Sequence, residues 1–453
     1  MLKKSWYIVL MKKEEKLALI EEVLTRGVSD FIDPEGSFKE KLIKKVNGQY
    51  EGEIIIKFGI DPTKADLHIG HAVALKKLKN FQDLGCKVIL LIGDYTAQIG
   101  DPTGKDITRP EINFVEVEKN LKSFIDQAQI ILETKDLDKY DWIRNSVWFL
   151  SVTDYDGSNV FEKSQNWQNG RIKWSQLKGG IETSSVFNLT YVLRHITISK
   201  LEERDMFKKR RESGGHVFMH EMMYPVFQGI DSHAIGKFYG SCDLEIGGSD
   251  QHFNMLMGRD VMKVSGWKDI QSVMTVEILE GLDGTEKMSK SLNNYIGINE
   301  KPSDMFGKVM TIRDELITKY FLLCTDYSRE KISEIEDAIK NGQNPKNFKM
   351  ELAKELVRIY HGQKEADKAE DFFIKTFEKK EIPDEVEEIS FGEDKVADRL
   401  IKEKIVSSRT ELIRLIKDGA ITNLDKDKKV EREDDLKERG TYIIGKHRFI
   451  KVK

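Results

Sequence analysis

Two short words carry the chemistry of this 453-residue chain: His68-Ile69-Gly70-His71 and Lys287-Met288-Ser289-Lys290-Ser291. Imidazole N–H groups donate hydrogen bonds to phosphate oxygens, and ammonium groups match the charge that builds up as pyrophosphate leaves. Each word alone has a plainer reading: two histidines on a half-exposed helix start, or an exposed basic loop. In this order and in one chain, they point to donors gathered around the triphosphate of a single nucleotide. The chemistry that follows is substitution at the α-phosphate.

The elements that must hold the first word are legible around it. Residues 53–58 form a short run rich in β-branched residues, which reads as a buried strand. Gly59-Ile-Asp-Pro-Thr63 follows as a turn. From Ile69 to Leu84 apolar residues fall at helical spacing (Val73, Leu75, Leu78, Phe81, Leu84), and Gly85 stops the helix. Val88–Ile92 is a second buried strand, which completes a βαβ unit with parallel strands. His68 and His71 then stand three residues apart at the helix opening, where free N–H groups and the positive dipole end favour an anion. Gly70 lets the backbone approach a ligand closely. The lysine word lies within Glu280–Asn294, whose glycines and small polar residues predict a mobile loop able to close over a polyphosphate.

With these words in place, the chain resembles the class I aminoacyl-tRNA synthetases, whose HIGH and KMSKS signatures they match. Nearly the whole chain is covered, and the likeness is strongest to the bacterial tyrosine-specific branch. Phe58–Thr63, Ile99–Lys105, Tyr224–Asp231 and Asp243–Gln251 narrow it so far. The resemblance implies a Rossmann-like domain that makes tyrosyl-adenylate from L-tyrosine and ATP, then passes tyrosine to the 3′ end of tRNA(Tyr). It also implies roles. His68, His71 and Thr63 would meet the phosphates, and Lys287 and Lys290 would complete the site as their loop closes. Asp101 would face the substrate ammonium group, although an Asp before Pro102 is also a turn former. Tyr224, Gln228 and Asp231, at i, i+4 and i+7 on one helix face, would line the tyrosine pocket, with Asp231 accepting from the phenol. Gln251 would approach the substrate carboxylate. Gly59, Asp61, Gly70, Gly248, Asp250 and Met288 would surround the nucleotide, with Gly248 and Asp250 at the ribose.

The substrate carboxylate is itself the nucleophile, so alignment and electrostatics carry the step, with Mg²⁺ accompanying ATP and no zinc expected. A pocket that buries Asp231 leaves it unpaired when the ligand lacks a hydroxyl, which is the physical basis for rejecting phenylalanine. One departure stands out. The best-known branch of the family has a second phenol-contacting tyrosine four residues before the aspartate of the turn, whereas this chain has Lys57.

Composition bounds the rest. Charged residues make up 33% and the net charge is −4, as in many intracellular proteins. Cys86, Cys242 and Cys324 stand far apart with no CxxC pair, so neither a zinc site nor a disulfide framework is indicated. No run of about 18 apolar residues occurs, and the apolar stretch near Met1 is too short for a signal peptide, so no membrane span and a cytoplasmic address are expected. Met11 is a candidate start.

The expected fold class is α/β: a Rossmann-like parallel-sheet catalytic domain, a helical domain and a small C-terminal α+β RNA-binding domain. Residues 1–50 form an N-terminal helical segment. The catalytic domain covers 51–265 and carries a polar, glycine-punctuated insertion at about 151–186. Residues 266–375 hold the lysine loop and a helical anticodon-binding domain, 376–390 an acidic linker, and 391–453 the tail. Two short helices (395–404 and 410–417) and strands at 420–422 and 441–452 are expected in the tail. The tail's Ser-Ser-Arg-Thr-Glu word resembles a small RNA-binding module of a ribosomal protein and some pseudouridine synthases. Arg409, Arg414 and Lys417 would meet phosphates. With 17 Lys and Arg against 13 Asp and Glu, the tail carries +4 on a body of −8. The resemblance adds a homodimer. Two rivals stay open: a tryptophan-specific synthetase, which Asp231 disfavours, and a non-catalytic RNA-binding paralogue, which the intact histidines and lysines disfavour.

Overall fold

The computed structural model describes residues 11–63, 67–102, 114–149, 186–202, 205–379, 386–392, 394–403, 405–406, 408–445 and 448–453. They fall into two compact units, Met1–Glu300 with Ile312–Pro345, and Lys301–Thr311 with Lys346–Lys453.

The first unit is built on six strands: β1 (Val28–Ile32), β2 (Ile55–Ile60), β3 (Lys87–Ile92), β4 (Tyr140–Arg144), β5 (Leu244–Gly248) and β6 (Ser272–Val276), in the order β1-β6-β5-β2-β3-β4. All pairings are parallel except that of β1 with β6. From β2 the chain steps outward to β3 and β4, then returns to the other side of β2 with β5 and β6. That reversal opens a crevice beyond the carboxyl ends of β2 and β5, the usual seat of a ligand in such sheets. β3 is buried along its whole length, which accounts for its unbroken apolar run.

Helices of this unit include α1 (Lys13–Thr25), α2 (Ser37–Val46), α3 (Ile69–Asp83), α4 (Met219–Tyr239) and α5 (His252–Val264), and candidate site residues lie on or beside each of the last three. α3 joins β2 to β3, burying Val73, Leu75, Leu78 and Phe81. Gly85, at φ +87°, follows its C-cap as the spacing predicts. α4 and α5 approach closely because Gly229 has no side chain. A Cβ there would stand 2.7 Å from Val261 Cγ2 and 3.0 Å from the Met257 carbonyl oxygen.

The sheet reaches beyond the boundaries expected from sequence. β1 lies in the segment read as helical, between α1 and α2, and β6 lies past residue 265. β1 is a five-residue edge strand with no fully buried position. Its strand character comes from pairing with β6, with Phe31 opposite Met274 and Ile32 opposite Val273, and not from a local pattern. The expected insertion at 151–186 lies outside the described residues except for Val186, which opens a helix.

The second unit contains helices Pro302–Met310 and Gln363–Phe373, whose Phe306 and Phe373 rings stand 5.3 Å apart. Its C-terminal part has helices Val396–Lys402 and α6 (Arg409–Lys417) over a sheet of β7 (Glu387–Ile389), β8 (Ile421–Asn423), β9 (Lys428–Lys429), β10 (Gly440–Ile444) and β11 (Arg448–Val452). The strand order is β7-β11-β10-β8-β9. The stretch read as one strand over 441–452 is a hairpin of β10 and β11. Part of the expected linker is β7, parallel to β11. No helix among the described residues is long and apolar enough to cross a membrane.

Candidate active site

The histidine word and the segment that follows the lysine word are stitched together. Ile69 N donates to Ile296 O at 2.9 Å, Ile298 N donates to Leu67 O at 3.2 Å, and His68 bridges Gly297 through the backbone. A Cβ on Gly70 would stand 3.4 Å from Met288 Cβ. Words whose first residues are 219 positions apart are therefore neighbours. Tyr295 adds a link that sequence reasoning missed: its ring lies 6.2 Å from the His68 ring and 5.5 Å from Lys290 Nζ.

His68 caps α3, and its backbone N–H donates to His71 Nδ1 at 3.3 Å. The two rings stack with centroids 3.7 Å apart. With Nδ1 accepting, Nε2 is the nitrogen of His71 that carries a proton to donate. His71 keeps an exposed edge. Crowding of its ring by protein, and then the charges of Lys290 and Lys287, lower its pKa to about 4. It is a neutral donor at physiological pH. Lys287 Nζ pairs with Asp250 at 2.9 Å, at a half-exposed position. Asn294 holds the loop by accepting from Ser289 N at 2.7 Å and donating to Lys287 O at 3.2 Å.

The other half of the site lies at the carboxyl ends of β2, β3 and β4. Asp61 accepts from Thr96 Oγ1 at 2.8 Å and from the Tyr224 hydroxyl at 2.7 Å. Thr63 N donates to Asp61 O at 2.7 Å, closing the turn. Burial, followed by the Asp61 charge, raises the Tyr224 phenol well above its ordinary range. Asn145 Nδ2 donates to Thr96 Oγ1 at 3.0 Å and to Asp231 Oδ2 at 3.4 Å, and Trp148 Nε1 donates to Asp231 Oδ1 at 2.9 Å. Asp231 is only 3% exposed. Burial pushes its carboxyl up to about 7, opposed by the Lys57 charge and by the Trp148 and Asn145 hydrogen bonds.

Near the start of α5, Gln251 Nε2 donates to Asp101 Oδ2 at 2.6 Å, and Asn254 Nδ2 donates to Gln251 Oε1 at 2.9 Å. A Cβ on Gly248 would stand 2.8 Å from Asp250 Oδ1, so a side chain there would require the Asp250 carboxylate to shift. Gly59 is exposed at the end of β2. Lys57 is fully buried and bonded to Glu245, Ser232 and the Gln228 carbonyl.

The first unit thus gathers the phosphate, nucleotide and tyrosine-pocket candidates into linked clusters. Arg409, Arg414 and Lys417 belong to the second unit, where all three are exposed on α6 and Arg409 lies 3.5 Å from Glu433. Sequence reasoning missed Thr96, Asn145, Trp148 and Glu245. Thr96 and Asn145 follow the ends of β3 and β4, where ligand-facing residues collect, and that position was a usable signal. Glu245 carried another: it is the one charge in an apolar strand, opposite the single charge in β2. Among the described residues, no group of three or more His, Cys, Asp or Glu is arranged to hold a metal ion.

The family described as tRNA synthetases class I (W and Y) matches residues 49–378. The tyrosine–tRNA ligase of Francisella tularensis subsp. tularensis is 37% identical over 435 residues, spanning 95% of this chain and 97% of its own. That of Carboxydothermus hydrogenoformans is 39% identical over 447 residues, with coverage of 95% and 97%. Among solved structures, the Archaeoglobus fulgidus tyrosyl-tRNA synthetase complexed with L-tyrosine superposes with a TM-score of 0.53 at 20% identity, covering 80% of this chain and 100% of that one. Plasmodium falciparum tryptophanyl-tRNA synthetase gives the same TM-score at 13% identity, covering 79% and 89%. The architecture is common to both, so the fold does not separate the two specificities.

Proposed function

The chain belongs to the class I tRNA synthetases of the tryptophan and tyrosine family, and we propose that its site activates L-tyrosine with ATP and charges tRNA(Tyr). The activity is that of a tyrosine–tRNA ligase. The observation that supports the residue assignments is the close approach of the two words, where a Cβ on Gly70 would stand 3.4 Å from Met288 Cβ.

In the first step the tyrosine carboxylate attacks the α-phosphorus, the bond to the β-phosphate oxygen breaks, and pyrophosphate leaves. His71, through Nε2–H, with His68 and Thr63, would donate to the phosphates as charge builds there. Lys287 must leave Asp250 to reach them. A half-exposed ion pair is worth at most about 1 kcal/mol, so a triphosphate can take the ammonium and leave Asp250 to accept from a ribose hydroxyl. Lys290 would join from the same loop. Asp231, held by Trp148 and Asn145, keeps acceptor capacity for the phenol, since a carboxylate offers about four lone-pair sites. Asp101 and Gln251 would turn from each other to the substrate's ammonium and carboxylate. In the second step the tRNA 3′-terminal hydroxyl attacks the acyl carbonyl and AMP departs. Mg²⁺ would arrive on the ATP phosphates. A homodimer, a cytoplasmic address and RNA contacts through α6 complete the reading and rest on the resemblance.

ATP–pyrophosphate exchange with each amino acid in turn tests the assignment. Tyrosine alone should drive exchange; exchange driven by tryptophan, or by none, rejects it. His71→Ala should slow tyrosine-driven exchange by about 10²–10³-fold, the usual cost of losing one preorganised donor, while tyrosine binding barely changes. An unaltered exchange rate would remove His71 from the phosphates.

A further inference from the structure

Lys57 and Glu245 bring opposite charges into the middle of two buried parallel strands, and they face each other in register. Lys57 is 0% and Glu245 1% exposed, with Nζ 2.9 Å from Oε1. A buried pair is costly unless its remaining protons and lone pairs are met, and here they are. Lys57 Nζ also donates to Ser232 Oγ at 2.8 Å and to Gln228 O at 3.0 Å. Glu245 accepts from Gln228 Nε2 at 3.0 Å, Ser232 Oγ at 3.1 Å and Gln271 Nε2 at 2.6 Å. Packing leaves no slack: a Cβ on Gly258 would stand 2.5 Å from Gln271 Nε2 and 2.8 Å from Ser232 Oγ.

The pair grips Gln228 twice, by its backbone carbonyl through Lys57 and by its side-chain amide through Glu245. Asp231 follows three residues later on α4, directly before Ser232, whose hydroxyl is held by both Lys57 and Glu245, and both charges act on the Asp231 carboxyl. Two buried carboxylates on neighbouring elements with no cation near them would repel, and one would take a proton. Lys57 is that cation. Hydrophobic residues can replace many buried pairs without loss of stability, so stability alone does not account for this one.

We propose that Lys57 is a positioning residue for tyrosine selection: paired with Glu245, it fixes Gln228 and supplies the charge that lets Asp231 present a carboxylate to the phenol. The inference rests on the tyrosine-ligase reading given above and adds the device that sets its specificity.

A double-mutant cycle in the full-length enzyme tests it, using tyrosine- and phenylalanine-driven exchange. Lys57→Met should raise the tyrosine KM by about ten- to hundredfold, the range for a lost hydrogen bond to a charged group. The ATP KM should stay within about twofold, and the tyrosine-to-phenylalanine ratio of kcat/KM should narrow. Glu245→Gln should also raise the tyrosine KM, because the Lys57 ammonium then competes with the phenol for Asp231. The double variant, with both charges gone, should recover most of the tyrosine KM. An unmoved tyrosine KM and ratio in Lys57→Met overturns the proposal. So does a parallel rise in both KM values with no recovery in the double variant, which is the signature of a merely structural pair. Should Lys57→Met fail to fold, Glu245→Gln and the double variant carry the comparison, and a double variant no better than Glu245→Gln overturns it. A wild-type enzyme without tyrosine-driven exchange would sink the ligase reading; an active wild type with unmoved variants sinks only this inference.

Discussion

On the proposed reading, Asp231 recognises a phenol from a place where a carboxylate is poorly solvated. Burial raises its pKa to about 7, against the pull of Lys57, Trp148 and Asn145. The acceptor form is therefore lost as pH falls through about 7, and kcat/KM for tyrosine should fall with an apparent pKa near that value. Stability should run the other way. The ordinary carboxyl value is 3.8, so between about 4 and 7 the folded state binds more protons than the unfolded one. Stability then declines as pH rises through that window and levels off above it. Urea unfolding and tyrosine-driven exchange, both measured from pH 5 to 8, check the two limbs. Asp231→Asn should flatten the unfolding slope; a slope unchanged in that variant would assign the titration elsewhere. The spacing Tyr224, Gln228, Asp231 made this face of α4 legible from sequence. Trp148 was not, because its partner lies more than 80 positions away and nothing local marks it; Asn145 was marked only by its place after β4, and its partner is as distant.

The turn after β3 shows what an element contributes that a single side chain cannot. A Cβ on Gly93 would stand 2.1 Å from Asp61 Oδ1 and 2.4 Å from Thr96 Oγ1. Either short side chain can swing aside only by breaking the Thr96–Asp61 hydrogen bond. Gly93→Ala should cost about 1.5–3 kcal/mol of that charged interaction, read as a roughly ten- to hundredfold drop in kcat/KM for exchange. Circular dichroism should be unchanged. Full activity in Gly93→Ala would mean that the Asp61 carboxylate does not need this setting. The β2–α3–β3 unit was legible because each of its signals is local: an apolar run, helical spacing and a stopping glycine. β1 was not, since Val28–Ile32 has half-exposed positions and becomes a strand through β6, far along the chain. Lys57 was noticed as a departure, yet its meaning needed Glu245, which only the register of β2 with β5 supplies.

At the scale of the whole molecule, the candidate groups are divided between the two units. The phosphate and tyrosine candidates all lie in the first unit, and the basic face of α6 lies in the second. The C-terminal part has its own core, in which Leu400, Leu412, Ile421, Leu436, Tyr442 and Ile450 are buried. Where it begins decides whether it can be removed cleanly. A cut at 391 would strand β7, whose Ile389 is 1% exposed and pairs opposite Val452, and would leave an apolar edge open to aggregation. Removing 386–453 takes the strand with its sheet. The shortened protein should keep tyrosine-driven pyrophosphate exchange within about twofold, since losses confined to a separate RNA-binding surface leave the chemical step intact. Charging of tRNA should weaken. Because Arg409, Arg414 and Lys417 would act on phosphates, the dependence of charging on salt should also become shallower, by about one unit of log–log slope for each phosphate no longer neutralised. Aminoacylation measured across a salt series distinguishes the cases. Weaker charging with an unchanged slope would point to uncharged groups as the RNA-binding ones, and undiminished charging by the shortened protein would take RNA binding away from α6 altogether.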